Sequence, residues 1–240
     1  MILYPVVILA GGLAVRLRPI TEEIPKALVE VGGEPFIVHQ LRLLYSRGIR
    51  NVIISAWYLG EMIREFIGDG SRFGMQVQYV FDGEKALGTA GAVRKALGFI
   101  DGPFFVLNGD TYFPCDFAAI QTYFELCAQS GLMTVNYNQM DWHDSNVEFK
   151  DGEIIRHDKQ NRDALMQHVD AGLALFDPIA FAHLPEGQSA DLMDVFQKLL
   201  AEGKLLGYEE QQRFYEVGSF SGLKELDMLL SENPDRFLAG

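Results

Sequence analysis

Apolar segments alternate with segments of helical periodicity through the first half of the sequence. Residues 5–10 (PVVILA) show no polar alternation, which predicts a central strand buried on both faces. The elements predicted after it are helices over 37–47, 61–67 and 90–97, and strands over 51–56, 76–81 and 104–107. Such alternation is typical of βαβ units, so we expect parallel strands in this half.

Beyond residue 113 the pattern is looser and strands follow one another more often. The predicted elements are helices over 117–129, 192–201 and 221–230, and strands over 132–136, 146–149, 153–157, 169–176 and 213–217. Asp151-Gly152 separates two of these strands, and both residues tolerate the positive φ of a tight hairpin turn. Since no linker or repeat divides the chain, we expect one domain over residues 1–240. Its expected fold class is α/β, with a Rossmann-like, mostly parallel central sheet flanked by helices and antiparallel elements added in the second half.

The charge of the chain excludes some partners. Its 240 residues carry 20 Lys and Arg against 33 Asp and Glu, a formal net charge of −13. Nonspecific binding to nucleic acid or to an anionic membrane needs basic surface, so neither partner is expected. The excess acid lies in one half: residues 1–113 hold 11 basic and 11 acidic side chains, whereas residues 114–240 hold 9 and 22.

Other features of the composition suggest an ordinary cytoplasmic protein. No apolar segment approaches the roughly 20 residues of a membrane span, and the N-terminus has no export signal. Cys115 and Cys127 match neither a disulfide framework nor a redox motif, so two unpaired thiols are expected. Three histidines have no metal-ligand spacing with these cysteines and are expected at the surface or in loops: His143, His157 and His168.

A phosphate-binding motif follows the first predicted strand. Gly11 and Gly12 allow backbone N–H groups to approach an anion closely, and Arg16 and Lys26 can neutralise phosphate oxygens. The motif fits neither the dinucleotide fingerprint, whose third glycine position holds Arg16, nor the P-loop, which needs Gly-Lys followed by Ser or Thr.

This segment, LAGGLAVRLRPITEEIPKALVEVGGEP, resembles the N-terminal pattern of the sugar-1-phosphate nucleotidyltransferases, or NDP-sugar pyrophosphorylases. The resemblance implies that Arg16 faces the departing pyrophosphate and Lys26 neutralises the reacting phosphates, as the catalytic pair. It implies nucleotide contacts from the segment Leu9, Ala10, Gly11 and Gly12. Ala14 and Val15 depart from the pattern, which usually has Gly and then Thr or Ser. A positive φ at Ala14 would cost roughly 1 kcal/mol.

Two further blocks match the same family. In LGTAGA (residues 87–92), Gly88 and Thr89 are expected to contact the nucleobase, although Thr89 could instead cap the helix that follows. In NGD (residues 108–110), Asn108 is expected at the nucleotide and Asp110 as a ligand of Mg²⁺, which prefers oxygen donors. The family supplies a second metal carboxylate from a late D-I-G-T segment, whose place here is taken by Glu216.

The matches on the sugar side lie in the second half. Lys159 follows the predicted hairpin at a position where the resemblance implies contact with the sugar phosphate; a solvated surface lysine is the alternative. Asp170 and Gly172 match the family's V/I-N-A-G, with Asp in place of Asn, and an ionised Asp can only accept hydrogen bonds from sugar hydroxyls. Trp142 would either line the sugar pocket or anchor a loop.

The resemblance implies attack of a sugar 1-phosphate on the α-phosphorus of a nucleoside triphosphate, with Mg²⁺ as cofactor and pyrophosphate as product. Residues 1–113 are then mainly the nucleotide-binding half and residues 114–240 mainly the sugar-phosphate half. We expect GTP with a mannose- or heptose-type sugar 1-phosphate.

Three alternatives differ from that expectation. They are a uridylyltransferase of cell-wall sugars, a catalytically weak nucleotide-sugar sensor, and, with least support, a glycosyltransferase, which would typically show Asp-x-Asp. Association into a homo-oligomer is left open. Because the sequence ends soon after its last predicted helix, no appended domain is expected.

Overall fold

The computed structural model describes residues 1–138 and 143–238. The helices within these residues are α1 Ile20–Glu23, α2 Phe36–Ser46, α3 Gly60–Ile67, α4 Gly88–Ala96, α5 Phe117–Cys127, α6 Leu192–Ala201 and α7 Phe220–Glu232. The strands there are β1 Val6–Leu9, β2 Glu30–Val31, β3 Glu34–Pro35, β4 Asn51–Ala56, β5 Gln76–Phe81, β6 Phe104–Asn108, β7 Thr111–Tyr112, β8 Gly131–Tyr137, β9 Val147–Lys150, β10 Glu153–His157, β11 His168–Phe176, β12 Leu205–Glu209 and β13 Tyr215–Glu216.

Nine of the described strands form one mixed sheet in the order β5-β4-β1-β6-β11-β8-β12-β10-β9. The four strands of the first half are parallel to one another. Strand β11 is antiparallel to β6 and β8, β12 is parallel to β8, and β10 is antiparallel to β12 and β9. Four neighbouring pairs are therefore parallel and four antiparallel. The prediction of a mostly parallel sheet is correct for the first half and wrong for the sheet as a whole.

Most predicted elements are present, with ends that differ by no more than two residues. Strands 51–56, 76–81 and 153–157 and helix 192–201 have the predicted bounds. The strand expected over 213–217 is shorter: only Tyr215–Glu216 is extended and paired, against Thr111–Tyr112. Strand β12 has no counterpart among the predicted elements. The hairpin turn is confirmed, since Asp151 and Gly152 have φ of 53° and 88°.

Both faces of the sheet are covered by apolar side chains. Val7 and Ile8 of β1 point to opposite faces, and both have no exposed surface. Ile8 belongs to a core cluster with residues of α2, α3 and α5, whereas Val7 belongs to a second cluster with residues of α4 and α6. Burial on both faces explains the uninterrupted apolar run of β1.

The carboxyl ends of β1 and β6 lie side by side, because Leu9 pairs with Asn108. The N–H of Gly109 donates to the carbonyl of Leu9 at 3.0 Å. A Cβ atom on Gly109 would lie 2.3 Å from that carbonyl oxygen, so this close approach requires glycine. The segments that follow the two strands therefore begin at the same edge of the sheet, where ligands of parallel α/β sheets gather.

Among the helices of the described residues, none combines the length and apolar character needed to cross a bilayer.

Candidate active site

The glycine turn after β1 opens toward a cavity. A Cβ on Gly12 would meet no atom within 4 Å, whereas one on Gly11 would lie 3.3 Å from the backbone nitrogen of Trp57. Ala10 is hydrogen-bonded to β4, since its N–H donates to the carbonyl oxygen of Ser55 at 2.7 Å. The left-handed residue of the turn is Ala14, with φ 48° and ψ 44°. Ala14 thus has a backbone conformation that favours glycine, at a cost of about 1 kcal/mol.

The predicted nucleotide residues share one cavity of about 320 Å³. Its walls are Leu9, Gly11, Gly12, Asp82, Ala86, Gly88, Thr89, Asn108, Gly109 and Asp110. Every predicted nucleotide contact except Ala10 is therefore on this wall. Asp82, in the loop that precedes the LGTAGA block, also lies on this wall: its carboxylate accepts from the N–H of Leu87 at 2.8 Å, and burial raises its pKa.

Gly88 and Thr89 also connect the two halves of the chain. Gly88 has φ 68°, and a Cβ there would lie 2.6 Å from the carbonyl oxygen of Ala190. The Thr89 hydroxyl accepts from the N–H of Leu192 at 2.7 Å, at the beginning of α6. The alternative in which Thr89 caps its own helix is therefore wrong, because α4 already begins at Gly88 and the hydroxyl binds another helix.

Lys26 and Asp110 form the best-defined ion pair of the site. The Lys26 ammonium donates to Oδ2 of Asp110 at 2.7 Å, and both side chains are less than one fifth exposed. The N–H of Val217 donates to the Asp110 carbonyl at 2.9 Å, which brings β13 beside this pair. Residues far apart in sequence thus meet around one carboxylate.

Gly218 is a site residue that sequence analysis missed. A Cβ on Gly218 would lie 2.9 Å from Nη2 of Arg16 and 3.2 Å from Oδ2 of Asp110. The guanidinium and the carboxylate therefore both approach the space that a side chain at this position would occupy. The sequence signal that could have identified this residue is the glycine itself, two residues after Glu216.

Glu216 lies among other acidic groups. Burial, together with the charges of Asp110 and Asp170, raises the pKa of Glu216 to about 7, although Lys26 and Arg16 act in the opposite direction. Its Oε2 is 3.6 Å from Nε2 of His143. The repulsion from Asp110 means that a cation between the two carboxylates would be favourable.

The donor set fits Mg²⁺ held mainly by substrate. Asp110 and Glu216 supply the hard oxygen donors that this ion prefers. Within residues 1–138 and 143–238, no three acidic, histidine or cysteine side chains are arranged to hold a metal ion. Two protein carboxylates with the remaining positions left to phosphate oxygens and water are usual for Mg²⁺.

A second cavity, of about 180 Å³, contains the predicted sugar-side residues Lys159, Asp170 and Gly172. Gly172 has φ 74°, and a Cβ there would lie 2.6 Å from Oγ1 of Thr111 and 2.9 Å from Nδ2 of Asn108. The structure therefore requires glycine at this position twice over, by backbone conformation and by close approach. Trp142 lies outside the described residues.

The expectation that these histidines lie at the surface or in loops holds for His143 and is wrong for His157 and His168. His157 and His168 are buried on β10 and β11, and His143 is half-buried. His157 faces inward because the pairing of β10 with β9 shifts by one residue between Ile154 and Arg156. This bulge places His157 on the same side as buried Ile154, contrary to simple alternation.

The comparisons with known proteins identify the family of this chain. Residues 5–233 match the family model described as nucleotidyl transferase. The chain belongs to the nucleotidyl transferase family. This confirms the family suggested by the LAGG segment, whose members are enzymes.

Three relatives of this nucleotidyl transferase span different shares of it. A UTP–glucose-1-phosphate uridylyltransferase of Synechocystis is 32% identical over 82% of the chain, which spans 55% of that protein. An N-acetylmuramate alpha-1-phosphate uridylyltransferase of Neisseria meningitidis is 30% identical over 92% of the chain and 96% of its own length. A D-glycero-alpha-D-manno-heptose 1-phosphate guanylyltransferase of Campylobacter jejuni is 36% identical over 48% of the chain and 51% of its own length.

Solved structures share the fold. HddC of Yersinia pseudotuberculosis, in a crystal structure with GMP-PN, superposes with a TM-score of 0.77 at 21% identity. The match covers 95% of this chain and 99% of that one. The mixed sheet is therefore the sheet of a nucleotidyltransferase fold.

Proposed function

We propose that this chain transfers a nucleoside monophosphate from a nucleoside triphosphate to a sugar 1-phosphate, with release of pyrophosphate. The observation that carries the proposal is the meeting of two cavities. Asn108 and Thr89 line both the 320 Å³ cavity of the glycine turn and the 180 Å³ cavity of Lys159. A nucleotide α-phosphate in the first and a sugar phosphate in the second would therefore be neighbours.

The reaction needs no covalent intermediate and no general base. An oxygen of the sugar phosphate, already an anion, forms a bond to the α-phosphorus, and the bond from that phosphorus to the bridging oxygen of the β-phosphate breaks. Catalysis then consists of positioning and charge neutralisation. Lys26 neutralises the α-phosphate region and Lys159 the incoming sugar phosphate. Arg16, exposed beside Gly218, would bind the departing pyrophosphate.

Asp110 and Glu216 would hold Mg²⁺ in this scheme. The ion supplies neutralisation of the α-phosphate and of the leaving pyrophosphate when it is bound. Lys26 orients the Asp110 carboxylate through the 2.7 Å ion pair.

For the substrates we propose GTP and a mannose- or heptose-type sugar 1-phosphate. The support is the 36% identity to the heptose 1-phosphate guanylyltransferase of Campylobacter, over 115 residues. A uridylyltransferase is the second candidate, because the Neisseria relative of that activity has nearly the same length as this chain.

A pyrophosphate-release screen tests both levels of the proposal. GTP, UTP, dTTP, CTP and ATP are crossed with mannose, heptose, glucose and N-acetylmuramate 1-phosphates in Mg²⁺. We expect turnover with GTP and a mannose- or heptose-type substrate; turnover with UTP alone would transfer the assignment to the second candidate. Binding without pyrophosphate release from any pair would refute transfer and favour a nucleotide-sugar sensor.

A further inference from the structure

Asp170 is an unusual residue in the wall of the sugar-side cavity, the cavity of about 180 Å³ that contains Lys159 and Gly172. Its side chain is only 11% exposed, and Oδ1 accepts from the N–H of Gly172 at 3.1 Å. Oδ2 lies 3.4 Å from Nζ of Lys159 and 3.6 Å from Nε2 of His157. Both distances exceed that of a good hydrogen bond, and a carboxylate oxygen has two lone pairs, so Oδ2 can accept from a ligand.

His157 does not neutralise this carboxylate. It is 1% exposed, and neither of its ring nitrogens has a hydrogen-bond partner among the described residues. Burial lowers the pKa of His157, although the charge of Asp170 acts in the opposite direction. A neutral imidazole carries a single N–H donor, so His157 can orient Asp170 without removing its charge.

The charges that line this cavity disfavour a ligand with a second anionic group besides its phosphate. Among the described lining residues, Lys159 is the single cation, and Asp170 and Asp191 are the carboxylates. A sugar 1-phosphate adds a phosphate that also needs Lys159. A carboxylate on the sugar would then lie near Asp170 without a counter-charge, in a partly buried site where screening by water is weak.

Building on the proposed sugar 1-phosphate activity, we propose that Asp170 makes this cavity select neutral polyhydroxy sugar 1-phosphates and reject sugar 1-phosphates that carry a carboxylate. Sugar hydroxyls can donate to Oδ2, whereas a carboxylate can only accept and is repelled. An Asn at this position would keep an acceptor and carry no charge, so the selection depends on the carboxylate of Asp170.

Binding of matched ligands tests the proposal without requiring turnover. The three pairs are glucose and glucuronic acid, mannose and mannuronic acid, and N-acetylglucosamine and N-acetylmuramic acid, all as 1-phosphates. Kd is measured by titration calorimetry in Mg²⁺, with and without the α,β-methylene analogues of GTP and UTP. The proteins are wild type, Asp170→Asn, and Asp177→Asn as control. The amide introduced by Asp170→Asn retains an acceptor for the Gly172 N–H, and Asp177 lies at the far end of β11, where Asn can also accept from Ile179.

We expect wild type to bind the neutral member of a pair about tenfold or more tightly than the acidic member, and Asp170→Asn to reduce that ratio about tenfold. Asp177→Asn should leave the ratio unchanged. Equal binding of both members in all three pairs, or an unchanged ratio in Asp170→Asn, would overturn the selection. Binding of no 1-phosphate to wild type would overturn both proposals, whereas selective binding without pyrophosphate release would overturn only the transfer reaction.

Discussion

Replacement of Glu216 by Gln should stabilise the metal-free protein, and more so as pH rises. The pKa of Glu216 is raised from 4.5 to about 7 by burial and by the charges of Asp110 and Asp170. Below pH 4.5 the group is protonated in both folded and unfolded states. Between pH 4.5 and 7 only the unfolded state ionises, so the folded state loses stability as pH rises, and above pH 7 the loss is complete.

The size of the loss follows from the shift. A difference of roughly 2.5 pH units at about 1.4 kcal/mol each gives an upper value of about 3 kcal/mol at pH 8, and under 1 kcal/mol at pH 5. Gln resembles the protonated acid and has no such dependence. The variant should therefore exceed wild type in free energy of unfolding by about 2 to 3 kcal/mol at pH 8, and by much less at pH 5.

Urea unfolding in EDTA at pH 5, 6, 7 and 8 measures this difference. Glu232→Gln, at the exposed end of α7, is the matched control and should show no pH-dependent gain. Addition of Mg²⁺ at pH 8 should stabilise wild type and not Glu216→Gln. The reasoning is refuted if the gain of Glu216→Gln is the same at pH 5 and pH 8.

Three further substitutions follow from the contacts of the site. Lys26→Ala should lower turnover by orders of magnitude, as pyrophosphate release would show, while circular dichroism and the thermal midpoint stay close to wild type. Gly172→Ala should destabilise the protein by about 1 to 3 kcal/mol in urea unfolding and abolish sugar 1-phosphate binding, because its methyl group would collide with Thr111. Thr89→Val leaves the N–H of Leu192 without its acceptor and should cost about 1 to 3 kcal/mol of unfolding free energy; an unchanged urea midpoint would contradict that role.

Elements with strong local patterns could be predicted from the sequence. Strands 51–56 and 76–81 have their predicted bounds because each is a short apolar or alternating segment beside a turn, and neighbouring parallel strands follow one another along the chain. Strand β12 and the order of the second half depend on pairing between distant segments. Nothing local in residues 205–209 indicates that they lie beside β8, and the mixed character of the sheet follows from such pairings.

The candidate site divides in the same way. Glycines and charged residues in matched motifs, such as Lys26 and Asp110, could be named from sequence because the motif carries them. His157 and Gly218 could not be placed, for two physical reasons. A bulge reverses the side of β10 on which His157 lies, and the narrow space at Gly218 exists only when Arg16 and Asp110 approach from separate segments.

The positions of the charged side chains explain how so acidic a chain could bind anionic substrates. The net charge of −13 is carried by the second half, yet Asp110 is paired with Lys26 and Asp170 faces Lys159. Each cation thus already neutralises a carboxylate, and a phosphate must compete for it. Such competition favours a ligand that brings its own counter-ion, as a magnesium–triphosphate complex does, and disfavours one that brings a further carboxylate. The same balance of charges would therefore favour binding of a magnesium–nucleotide complex and disfavour binding of a sugar 1-phosphate that carries a carboxylate.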